Sequence, residues 1–155
     1  MGEVYFYHLT RQPLEAVLPT LLARARGAGW RVTVRGTSND RMAWLDEKLW
    51  LGDEAAFLPH GRAGGPHDAD QPVLLTTATA MPNEAACLMA VDGAEITAPE
   101  VTSLQRACIL FDGNDPTALE AARGQWRGLT AAGCAAQYWS QDSGQWQMKA
   151  QSPAK

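Results

Sequence analysis

Apolar residues along the chain fall into short runs whose period alternates between that of a strand and that of a helix, with glycine, proline and acidic residues marking the changes. Val4 to Leu9, VYFYHL, is aromatic and β-branched and ends at polar TRQP, which predicts a buried strand. From Pro13 the period changes. Leu14, Val17, Leu18, Leu21, Leu22 and Ala25 recur at three- and four-residue spacing, which predicts a helix ended by Gly27 and Gly29 and bent or restarted at Pro19.

The run from Arg31 to Gly36 predicts a second strand. In the following TSNDRMAWLDEKLW, Ser38 and Asn39 are candidate N-caps, Asp40 suits the N-terminal end of a helix dipole, and Met42, Leu45 and Leu49 share one face. A Gly/Pro/Asp loop without periodicity follows. Three further strands are expected at residues 72–77, 86–91 and 107–112, then a helix capped by Asp115 or Thr117 and closed by Gly133, and a last strand in CAAQYWS. Residues 141–155 read as a polar tail on a single domain of residues 1–140.

Strands alternating with helices, in runs apolar enough to be covered on both sides, predict an α/β fold. The expected form is a Rossmann-like three-layer sandwich with a mostly parallel sheet and right-handed crossovers. A length of 155 residues fits one core. Apolar residues make up 46% and charged residues 19%, the balance of a soluble globular protein, and the formal charge of -4 disfavours a protein built to grip phosphate backbones. Cys87, Cys108 and Cys134 are odd in number and widely spaced, so buried reduced thiols are expected rather than disulfides or a zinc site. No run reaches the roughly 18 apolar residues of a membrane span, and the start lacks the pattern of a signal peptide. A cytoplasmic location is the expectation.

Chemistry is sparse. The turn after the first strand, LTRQPLEA, has none of the glycines that let backbone amides approach a pyrophosphate, and GRAGGPHD lacks the Lys-Ser/Thr pair of a phosphate loop. No nucleophile elbow occurs, and the cysteines have no basic partner nearby in sequence. His60 and His67 share a loop with Asp68 and Asp70, at spacings that match no common metal pattern. No catalytic residue, cofactor or metal is therefore expected, and a binding protein is favoured. One rival is a small enzyme with a site near His60 and His67 at the C-terminal strand edges.

Two surfaces stand out. Trp50 lies about 100° round the second helix from Leu49, and Phe57 follows before the turn fixed by Pro59. Local geometry leaves these rings open between the edge of the core and a displayed patch. On the last helix Arg123 and Arg127 stand four residues apart with Trp126 between them. Two like charges so spaced oppose each other by roughly 0.2 to 0.5 kcal/mol, which an acidic ligand would relieve; Glu120 can do part of this. A solvated helix face with a local ion pair is the alternative. Direct binding of single-stranded nucleic acid through Trp126 and the arginines is a further rival, weakened by the net charge.

The order of motifs from residue 4 to 139, with LDEKLW followed by FLPHG as the most specific part, resembles the chi subunit family of bacterial DNA polymerase III. That resemblance implies a non-catalytic adaptor of the replicase, joining the psi subunit of the clamp loader to the acidic C-terminal tail of single-stranded DNA-binding protein. DNA would be reached only through that partner. Position by position, Arg123, Trp126 and Arg127 match the face that receives the tail. Trp50, Phe57 and Pro59 fall in the patch facing psi, which in the family also serves a helicase. Leu119 stands where the family can carry another basic residue, which implies weaker or less salt-sensitive tail binding.

Overall fold

In the computed structural model, which describes residues 2–50, 60–64, 68–141 and 146–152, the first apolar run becomes β1 (Glu3–Leu9), hydrogen-bonded in parallel to a strand on each side. Helix α1 (Leu14–Gly27) buries Val17, Leu18, Leu21, Leu22 and Ala25 at the expected spacing. It runs through Pro19 without the predicted restart. Proline there removes one hydrogen bond near the N-terminal end of the helix, and the buried stripe on both sides of it holds the helix together. Gly29, at φ +84°, supplies the left-handed turn after the cap at Ala28.

The chain continues as β2 (Val32–Arg35), α2 (Asn39–Trp50), β3 (Gly61–Arg62), a 3₁₀ turn at Asp68–Asp70, β4 (Val73–Thr76) and β5 (Cys87–Ala90). Then come α3 (Ala98–Ser103), β6 (Arg106–Asp112), α4 (Pro116–Ala131), β7 (Ala135–Ser140) and β8 (Gln147–Ser152). Ser38 caps α2, its Oγ accepting from the Arg41 amide at 3.4 Å. Helix α3 was not among the expected elements; its first turn is closed by a capping box in which Thr97 and Glu100 satisfy each other's backbone amides.

The strands form one sheet in the order β3-β4-β2-β5-β6-β1-β7-β8, parallel throughout except for the antiparallel pair β7 and β8. The C-terminal stretch expected to be a tail thus contributes an edge strand. Its residues 147–150 are exposed, so β8 is held by the ladder to β7 and buries little. One side of the sheet packs Met89, Cys108 and Leu110 against α1 and α2; the other packs Phe6, Ile109 and Phe111 against α3 and α4. This is a three-layer α/β sandwich with a mostly parallel sheet. All three cysteines are free and buried. A hydrogen bond with Cys87, together with burial, holds the Cys108 thiol well above its ordinary pKa.

Two buried polar side chains fasten neighbouring segments to the sheet. The guanidinium of Arg35 on β2 donates to both carboxylate oxygens of Glu100 on α3, at 3.1 and 2.7 Å, and to the carbonyls of Glu95 and Thr79. Asn83, fully buried, accepts from the Thr33 hydroxyl at 2.9 Å and donates to the carbonyls of Val32 and Gln71, both at 3.1 Å. Each side chain thereby pairs with backbone carbonyls, those bonded to Arg35 lying in the loops that follow β4 and β5.

Candidate functional site

Helix α4 begins where Asp115 caps it, its carboxylate accepting from the Thr117 amide at 2.9 Å, and Pro116 occupies the first helical position. The sequence then splits the helix lengthwise. Ala122 and Leu129 are buried, Gln125 ties the helix to the preceding loop through the Ile96 amide and the Ala94 carbonyl, and Glu120, Arg123 and Arg127 face solvent.

On that outer face the two guanidinium groups converge on one carboxylate. Glu120 lies 4.0 Å from Arg123 Nη1 and 3.5 Å from Arg127 Nη2. Side-chain exposures of 64% for Arg123, 68% for Arg127 and 67% for Glu120 leave these pairs screened by water and easily exchanged for another anion. Two cations share one acid, so the ridge keeps a net positive charge.

Trp126 belongs to the shoulder of the helix rather than its outer face. It is half-buried, with its ring edge-on to Phe6 of β1 at 5.3 Å and to Tyr138 of β7 at 6.1 Å. The Tyr138 hydroxyl lies 3.1 Å from His8 Nδ1, and His8 stacks on Phe111 at 5.2 Å with the rings 12° from parallel. Arginine ridge and indole are therefore adjacent but differently placed: the cations reach into water, and the ring is seated in a row of aromatics crossing the sheet. Phe6 and His8 were not singled out in the sequence. Their signal was the alternation in VYFYHL, which sends Phe6 and His8 to the α4 side and Tyr5 and Tyr7 to the other.

The second surface is described only in part. Trp50 is the last residue of α2, directly after buried Leu49. Its side chain, and Phe57 and Pro59 entirely, lie outside the described residues, as does His67.

His60 corrects the placement behind the enzyme alternative. It precedes β3 at the N-terminal edge of the sheet, not at the C-terminal strand ends. It is buried, and its Nε2 stands 3.0 Å from Asp46 Oδ1 and 3.2 Å from the Asp46 carbonyl, so it is a donor pinned to α2. Asp68 accepts from the Gly64 amide at 2.9 Å. Among the described residues no group of three or more His, Cys, Asp or Glu side chains could hold a metal ion.

A crevice of about 780 Å³ opens at the C-terminal ends of β1, β5 and β6, where neighbouring strands send their helices to opposite sides. In α/β sheets ligands favour such a position. Here Glu15, Asp92, Asp112 and Asp115 outnumber Arg11 and Arg41. The Arg41 side chain is already bonded to both Asp92 oxygens, at 3.0 and 3.1 Å, which raises its pKa further. The surplus of carboxylates opposes a phosphate.

The family profile described as DNA polymerase III chi subunit, HolC, matches residues 1–137. The chain belongs to this family. A protein of Rickettsia prowazekii (strain Madrid E) named probable DNA polymerase III subunit chi is 23% identical over 96 residues, covering 62% of this chain and 58% of that protein. The aligned part spans less than two thirds of that relative's length. The family match takes in β1 through the first half of β7 and the whole of α4, so the arginine ridge, Phe6 and Trp126 lie within it; Tyr138 and β8 lie beyond.

Proposed function

We propose that this member of the chi family is a non-catalytic, cytoplasmic adaptor of the bacterial replicase, with two protein-binding surfaces. On α4, Arg123 and Arg127 receive the acidic residues of the C-terminal tail of single-stranded DNA-binding protein, and Trp126 meets its apolar end. The observation that carries this reading is the sharing of Glu120 by two largely exposed guanidinium groups beside a half-buried indole. A tail carboxylate has only to displace a 3.5 to 4.0 Å surface pair to make two charge-assisted bonds, so the arriving acid gains more than the leaving one loses. At the far end of α2, Trp50, Phe57 and Pro59 form the patch for the psi subunit of the clamp loader and for a helicase partner.

The test is gel filtration of this chain with single-stranded DNA-binding protein, either whole or lacking its acidic tail. Co-elution with the whole protein and separate elution with the truncated one are expected. Co-elution with both would place the contact elsewhere. For the second surface, a Trp50→Ala, Phe57→Ala variant is expected to lose co-purification with psi while keeping the tail complex.

A further inference from the structure

On the side of the sheet away from α4, a groove of about 340 Å³ runs between the C-terminal half of α1 and the β7/β8 edge. Its floor is Tyr5 and Tyr7 of β1 with Cys108 and Met89 of the neighbouring strands. Its walls are aromatic. Trp139 lies 6.5 Å from Tyr5, Trp146 stands edge-on to Tyr7 at 5.2 Å, and Trp30 closes one end. All three tryptophans are half-buried.

The charges that line this groove have one sign. Arg24, exposed on the last turn of α1, and Arg106, at the start of β6, are its charged residues, and no carboxylate lines it among the described residues. The Arg106 guanidinium stacks 4.1 Å from the Tyr5 ring centre and 5.2 Å from that of Trp30. Its nearest acid is Glu3, at 3.8 Å and half-exposed, and its buried Nε has no hydrogen-bond partner. A partly exposed, ring-stacked guanidinium whose pair with Glu3 is loose, a second cation within the same groove, and aromatic side chains that are not fully buried are the features that bind a base and its phosphate together.

We infer that this groove binds one nucleotide unit of single-stranded DNA, with the base against Trp139, Trp146 and Tyr5 and the phosphate on Arg106 and Arg24. The volume suits one unit rather than an extended strand, and the net charge of -4 disfavours a longer track. This contact is direct. It lies across the sheet from α4 and does not depend on the tail reading.

The experiment is anisotropy of a fluorescently labelled oligodeoxythymidylate titrated with the full chain at several salt concentrations, with unlabelled thymidine monophosphate as competitor. One phosphate neutralised by the two arginines gives an expected slope of log K against log salt of about -0.7. Arg24→Gln is expected to weaken binding severalfold, and Trp139→Leu and Arg106→Gln by about tenfold or more, while Arg123→Ala, Arg127→Ala leaves it unchanged. Arg24 and Trp139 are included because Arg106→Gln also removes a stack that braces Trp30. Absence of binding, or binding untouched by both Arg24→Gln and Trp139→Leu, overturns the inference. So does loss with the α4 variant, a slope several times steeper, or binding of the monophosphate without the oligonucleotide.

Discussion

The indole of Trp126 meets the ring of Phe6 edge to face, with centroids 5.3 Å apart and planes at 67°, so a residue of the proposed binding face is also anchored in the core. Its two arginine neighbours on α4 make no such contact. The residues of one surface therefore separate by their effect on stability. Trp126→Ala is expected to cost about 2 to 3 kcal/mol, below the roughly 3 to 5 kcal/mol of a fully buried ring, whereas Arg123→Ala and Arg127→Ala stay within about 0.5 kcal/mol of the parent. Urea unfolding of the three variants measures this.

The Arg35–Glu100 pair is the main charged tie between sheet and α3, with side chains 5% and 20% exposed. Removing the acid strands a buried cation. Glu100→Gln is expected to lower stability by about 3 kcal/mol or more, seen as a fall in Tm of about 6 to 12 °C. Replacing both residues by methionine is expected to cost less than Glu100→Gln alone, because no uncompensated charge then remains.

The same pair sets an acid limit. Hydrogen bonds from Arg35 hold the Glu100 carboxyl below its ordinary pKa of 4.5, against a smaller opposing effect of burial. A depressed folded-state pKa gives stability that is fully present above the unfolded value and lost as pH falls through the folded value. Urea midpoints of the parent and Glu100→Gln, measured from neutral pH down through the carboxylate range, are expected to converge only below pH 4.5. Parallel curves throughout would show that the pair contributes no such linkage.

Asn83 is the corresponding neutral tie. Its amide nitrogen donates to two carbonyls, the buried one of Val32 and the partly buried one of Gln71. Asn83→Asp exchanges that donor for an oxygen facing two acceptors, so it is expected to destabilise by more than the roughly 2 kcal/mol of a lost buried partner, and to recover in part at acid pH, where one oxygen carries a proton. Circular dichroism melts of Asn83→Asp at neutral and mildly acid pH test both parts.

What was legible in the sequence follows from which side chains are buried. Strands β4, β5 and β6 lie in the middle of the sheet, covered on both sides, and therefore appear as unbroken apolar runs. Strand β8 buries almost nothing, and QMKAQS carries no strand period to detect. Helix α3 has one buried residue, Val101, so its only sequence sign is the Thr97–Glu100 capping box. The arginine ridge was legible because Arg123 and Arg127 stand one turn apart. The aromatic row beneath it was not. It joins Phe6, Trp126 and Tyr138 from three elements, and only the pairing of β1 with β7 brings them together.

The most direct test of the adaptor reading is a fluorescence titration of a labelled acidic tail peptide from single-stranded DNA-binding protein against the full chain. The parent is expected to bind it, and Arg123→Ala, Arg127→Ala to weaken binding about tenfold or more at an unchanged Tm, as two charge-assisted contacts are lost. Equal affinity of the parent and the folded double variant would contradict the assignment of α4 as the tail site.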